Sequence, residues 1–248
     1  MAKIREEIKA NYEAYLATFS SAITANVATF KGDAKLVESY ARVAVVNALK
    51  MDLVDTHFSK DAAHFFFEAH NDALLSHVNA SFGSWRPALQ ALRSYMENTM
   101  AAIYYKDHPV ELEKWKAGEF TIQPRDLREY IYDHPRLRKV SSEIDLKNLT
   151  NKEYATLSKA VHGSSSLFRM TSNDGKTNIA APNAADLGKW STREQSTMNL
   201  CTVMLVCILS DHLDGAKLSS LRDILGIALS ANSRAALKTH LNINIPSP

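Results

Sequence analysis

Tyr154, Ser158 and His162 recur every fourth residue in the segment EYATLSKAVHG. Side chains at that spacing line up along one face of a helix. An imidazole beside a hydroxyl could act as general base or acid on a nucleophile. No orienting acid lies near in sequence, so a serine-hydrolase arrangement is poorly supported. The same stripe also reads as a buried hydrogen-bonding seam that locks the helix against its neighbours. A second group, Arg93, Glu97 and Asn98, stands in LRSYMENTM, with Arg93 and Glu97 one helical turn apart. Exposed, such a pair contributes about 0.3–0.5 kcal/mol. Facing the interior, an arginine held by a carboxylate can bind phosphate or hold a histidine.

Two further patterns carry less. The span from His57 to His77, with His64, Glu68, His70 and Asp72 between, holds metal-ligand residue types, but Glu68 and His70 are two apart and no Glu-x-x-His mate occurs elsewhere. Di-metal helical sites need that mate, so these read as surface histidines of an amphipathic helix, and no metal or other cofactor is expected. Arg128 to His134 and Arg234 to His240 both fit the Arg-x4–6-His spacing of helical ribonucleases. A chain of this composition supplies about that many matches by chance. No glycine-rich phosphate loop or Cys/His zinc cluster is present.

The elements that must position these groups are helices. Glycine is scarce, with 8 in 248 residues, and apolar residues return at three and four, so an all-α bundle of about eight to nine helices is expected. Ile4, Ile8, Tyr12, Tyr15, Phe19, Ile23 and Val27 predict a first helix over 3–30, stopped by Gly32. Further helices are expected over 34–53, 60–78 and 85–105, the last tolerating Pro87 in its first turn. A short segment, VELEKWKAG, ends at Gly118, and another, DLREYIYDH, lies between Pro124 and Pro135. Thr150 to Glu153 reads as a capping box opening the helix that Gly163 ends. A Ser/Thr/Asn/Gly-rich loop follows at about 164–189, then closing helices over 191–213 and 217–240. Residues 1–248 are expected to form a single helical domain.

Hydrophobic residues make up 46% and charged residues 23%, which excludes a predominantly disordered chain. With Lys+Arg 29 against Asp+Glu 27, bulk charge does not predict nucleic-acid or membrane binding. A basic partner site would have to be local, and Arg125, Arg128, Arg136, Arg138 and Lys139 are the candidates, although Asp126, Glu129 and Asp133 interrupt them. Cys201 and Cys207 fall on different sides of one apolar helix, the usage of a reduced compartment. The run LCTVMLVCIL is about half the length that spans a bilayer. The reading is a cytoplasmic protein, without membrane attachment.

The stretches RPALQALRSYMENTMAAIYYKDHPVELEKW (86–115) and EYATLSKAVHGSSSLFRMT (153–171) resemble segments of helical bacterial proteins of the HEPN superfamily, in which an Arg-x-x-x-Glu helix precedes a helix bearing Ser-x-x-x-His-Gly. The resemblance implies a helical bundle, commonly dimeric, of a toxin or phage-defence system, often a metal-independent ribonuclease. It implies Arg93, Glu97, Ser158 and His162 as catalytic residues, with Asn98, Tyr154 and Arg169 supporting them. RNA and a partner protein of the defence system are the implied partners. Here the Arg and His come from different helices, which leaves open a scaffold that keeps the bundle without the nuclease. Such a non-catalytic dimeric interaction module, or a ligand sensor, is the alternative, and the module predicts a closed polar network around Arg93 and His162 together with an exposed apolar patch elsewhere.

Overall fold

The structure, a computed structural model, describes residues 2–162, 170–171, 179–213 and 219–248. Among these residues eleven α-helices of seven residues or more are found and no β-strand: α1 Ala2–Thr29, α2 Ala34–Leu49, α3 Lys60–Ser81, α4 Trp85–Asp107, α5 Pro109–Lys116, α6 Pro124–Asp133, α7 Arg138–Ile144, α8 Leu146–Val161, α9 Ala184–Ile208, α10 Ser219–Ala228 and α11 Ala231–Leu241. A π-helical turn, Lys50–Val54, and a helical turn, Asp55–His57, continue α2. The all-α expectation holds, but the count exceeds eight to nine.

The extra helices have local causes. The expected closing helix over 217–240 is two, because Ser230 leaves helical geometry (ψ 160°) and its hydroxyl accepts the Ser233 N–H, opening α11. Residues 138–144 form a helix of their own, separated from α8 by Asp145 in the left-handed conformation at φ 54°. Thr150 and Glu153 do not open a helix. Both are buried within α8, which starts a turn earlier at Leu146. Asn183 caps α9 through its side chain, accepting from Ala185 and Asp186, so helix occupies residues up to 189 that were expected to be loop. Gly163 and the polar residues at 163–169 and 172–178 lie outside the described residues.

α4 and α9 form the centre. α4 packs against α3, α5, α6, α8 and α9, and α9 against α2, α4, α8, α10 and α11. Leu200 to Leu209 is buried at every position, as expected of a helix surrounded on all sides. Ala62, Ala63, Ala69, Ala73 and Ala80 are the small buried residues of α3, which let it approach α4 closely. No helix among the described residues is long and apolar enough to cross a membrane.

The turn between α3 and α4 is pinned. Gly83 has φ +80°, and a Cβ there would stand 2.6 Å from the Ala181 carbonyl carbon, so only glycine fits. The Ala181 N–H donates to the Gly83 carbonyl at 3.1 Å, and Trp85 Nε1 donates to the Ala181 carbonyl at 2.9 Å. α1 differs from every other long helix: none of its residues is buried.

Candidate functional site

α4 and α8 lie side by side and bring together three of the expected residues. Arg93 Nε donates to Glu97 Oε1 at 3.1 Å, and the arginine's terminal nitrogen donates to the Tyr154 hydroxyl at 2.8 Å. The Tyr154 hydroxyl in turn donates to the same Glu97 oxygen at 2.7 Å. The triangle closes on itself, and its members are partly buried. Burial works against the charged Arg93, but Glu97 and Tyr154 outweigh it, and its pKa moves up. The Tyr154 hydroxyl is likewise pushed up, by burial first and then by the Glu97 carboxylate.

A residue singled out for another reason joins this group. The Arg128 guanidinium on α6 lies 4.0 Å from the centre of the Tyr154 ring, and that of Arg93 lies 4.9 Å from it. One aromatic ring therefore serves two cations. Arg128 also donates to the Pro124 carbonyl at 3.0 Å. Next to Glu97 on α4, Asn98 donates to Asp72 of α3 at 2.8 Å. Burial pushes the Asp72 carboxyl up to about 6 despite that hydrogen bond, helped by Glu68 and Glu97.

The other expected members stand apart. Ser158 donates its hydroxyl to the Tyr154 backbone carbonyl at 2.7 Å, so its proton is engaged within its own helix. His162 is the exposed C-terminal cap of α8, and no hydrogen bond or ion pair joins its side chain to Arg93, Glu97 or Ser158. Two turns of helix, about 12 Å, separate it along the axis from Tyr154. The last carbonyls of α8 are instead satisfied by Arg86, which reaches Ala160 at 3.0 Å and Val161 at 2.9 Å. Arg169 lies outside the described residues.

Neither Arg-x4–6-His pair converges. Arg128 faces Tyr154, whereas His134 Nε2 is 3.2 Å from Asp107, which also accepts from Tyr130 and Lys106. Arg234 donates to the Gly226 and Leu229 carbonyls at the end of α10, and His240 stands 3.6 Å from Glu143. Two more of the basic run are engaged within the fold: Arg136 bonds Asp211 and the Ile208 carbonyl, and Arg138 the Asp133 carbonyl. Of the histidine-rich span, His64 is on the surface, but His57, His70 and His77 are partly buried. His57 stacks on His212 at 3.6 Å, and His77 shares a hydrogen bond with Ser39 at 3.1 Å. The described residues hold no group of three or more His, Cys, Asp or Glu that could bind a metal ion.

Sequence reading missed the most deeply buried polar pair. Arg42 of α2 and Glu194 of α9 are 3% and 1% exposed, and Arg42 contacts one Glu194 oxygen at 2.7 Å through both Nε and a terminal nitrogen. Glu153 of α8, also buried, bonds Arg193 at 2.9 Å. A signal existed for Arg42: it falls in phase with Leu36, Ser39, Val43 and Val46 on the buried stripe of α2. In comparisons with known proteins, no family model, curated protein or solved structure matches the chain.

Proposed function

We propose that this chain is a non-catalytic, HEPN-like helical interaction module of a bacterial defence or toxin system, acting through a protein partner. The observation that carries this reading is α1, a 28-residue helix with no buried residue that exposes Ile4, Ile8, Tyr12, Tyr15, Leu16 and Val27 to solvent. An apolar stripe of that length on a folded protein marks a surface that a partner covers. The polar group supports the same reading in part, since the network closes around Arg93 but without the expected His162. Arg93, Glu97 and Tyr154 satisfy one another, so they act as a strut between α4 and α8 rather than as groups awaiting a substrate.

One observation favours a second reading, a metal-independent ribonuclease. The guanidinium groups of Arg93 and Arg128 flank one tyrosine, and the Arg93 side chain keeps 19% of its surface exposed, which would suit a phosphate. In that reading His162 would have to supply the acid or base. Incubating the wild type and a His162→Ala variant with mixed cellular RNA in EDTA separates the two. Intact RNA with both proteins is the expected result. Cleavage by the wild type alone would overturn the module reading and place His162 in a nuclease site.

A further inference from the structure

We infer that His77 is a ligand site separate from the Arg93 group: a neutral imidazole, fixed as its Nδ1–H tautomer by Ser39 and the buried Glu194, whose bare Nε2 accepts a hydrogen bond from an uncharged O–H or N–H donor at the α2/α3 surface. The inference takes nothing from the module reading. His77 Nδ1 lies 3.1 Å from Ser39 Oγ. Ser39 on α2 is fully buried, and beside it stands the Arg42–Glu194 pair. A polar line therefore runs from a partly exposed imidazole on α3, through a hydroxyl on α2, to a carboxylate on α9.

The direction of the hydrogen bonds along this line follows from what each group can do. Both Arg42 contacts go to Glu194 Oε2, which leaves Oε1 buried and short of a donor. Ser39 is the hydroxyl beside that carboxylate, close enough to lower its pKa against the rise that burial imposes. A carboxylate held ionised by an arginine only accepts, and a hydrogen bond to a charged group is the stronger kind. The single Ser39 proton therefore turns to Glu194 rather than to the imidazole. Ser39 Oγ is then the acceptor of the other bond, and His77 Nδ1 must carry the hydrogen that it donates. In a neutral ring that leaves Nε2 bare. Among the described residues only Ser39 hydrogen-bonds the ring.

The ring is held in place by its neighbours. Ser76, next to it on α3, is buried and accepts from Trp190 Nε1 of α9 at 3.1 Å, and the Tyr40 ring of α2 lies 5.8 Å from the imidazole. Burial lowers the His77 pKa, so the ring is neutral at pH 7. The charged groups of the packed helices do not reverse this: Arg42 and Glu194 offset each other, and Glu38 turns to solvent with 65% of its side chain exposed. The surface around the ring sets the ligand class. Leu74, one turn before His77, and Val37, one turn before Tyr40, are exposed apolar side chains. An anion would be repelled by the Nε2 lone pair, and the described residues offer a metal ion no group of three ligands. What fits is an uncharged, mainly apolar molecule bearing one O–H or N–H, of the phenol or indole type.

The test is long-range proton–nitrogen NMR of the nitrogen-labelled full chain, with His77 identified by the signals that His77→Gln removes. At about pH 7.5 the wild type is expected to show His77 with a protonated Nδ1 and a bare Nε2. Ser39→Ala is expected to lose that bias, because nothing then selects Nδ1–H. A wild-type ring that is Nε2–H overturns the inference, since Ser39 would then donate to the imidazole. Millimolar p-cresol is expected to move the Nε2 signal of the wild type, and toluene, which lacks the hydroxyl, to leave it in place. The p-cresol shift is expected to vanish as pH falls through the His77 transition, itself below 6.5, because a protonated Nε2 no longer accepts. An Nε2 signal that ignores p-cresol, or follows toluene equally, overturns the ligand site. Should Ser39→Ala fail to fold, the wild-type tautomer and the p-cresol shift still decide.

Discussion

Removing Glu194 should be the most damaging single change at any charged residue described here. Its carboxylate faces Arg42 across α2 and α9, with 3% and 1% exposure, and the next acid, Glu38, is 4.0 Å from Arg42 but itself 65% exposed. With charge centres about 4 Å apart and an effective dielectric of about 20, the attraction is about 4 kcal/mol. Glu194→Ala deletes it while Arg42 stays buried and charged, so the expected loss is about 3–5 kcal/mol. A domain of this kind has about 5–15 kcal/mol in total. The variant should therefore unfold at a much lower urea concentration, with little change in the slope of the transition. The double variant Arg42→Met/Glu194→Leu removes both charges at similar volume and should return to within about 2 kcal/mol of the wild type. Urea unfolding followed by far-ultraviolet circular dichroism measures all of these. A Glu194→Ala loss below about 1 kcal/mol, or a double variant as unstable as the sum of the singles, would refute the argument.

Two other outcomes follow from the α4 groups. Tyr154→Phe keeps the ring between Arg93 and Arg128 but removes the hydroxyl that bridges Arg93 and Glu97, and should cost about 1–2 kcal/mol; a neutral effect in thermal melts would show that the hydroxyl bridge contributes nothing. Asp72, pushed up to about 6 chiefly by burial, binds its proton more tightly folded than unfolded, so its contribution is full below the unfolded value of 3.8 and is lost as pH rises through about 6. Asp72→Asn keeps an oxygen for Asn98 and should gain about 1–2 kcal/mol over the wild type at about pH 8, after discounting for its partial exposure. Urea unfolding at several pH values should show that gain shrinking toward pH 4, and a gain independent of pH would contradict the assignment.

The helical class was legible in the residues because apolar spacing at three and four, with few glycines, reports local geometry directly. The first helix, the Gly32 stop, the Pro87 start of α4 and the Arg93–Glu97 turn could be read for the same reason. Boundaries set by side-chain caps were less legible. Nothing in the periodicity distinguishes Ser230, which breaks a helix, from Thr150, which lies buried inside one. The site depended on tertiary structure still more. Tyr154, Ser158 and His162 share a spacing, yet Tyr154 bonds α4, Ser158 bonds the Tyr154 carbonyl within its own helix, and His162 projects from the end. Spacing fixes a face of one helix, but which neighbour that face meets is decided by packing. Arg128 over Tyr154 and Arg42 against Glu194 join residues 26 and 152 positions apart, and only the packing of α6 and α8 on α4, and of α2 on α9, brings them together. The sequence alone determined the helical class and which helix faces are apolar; the fold alone decided that, among the described residues, most of the apolar face of α1 stays exposed, because that depends on where the chain turns at Gly32 and where Asn26 and Phe30 are held.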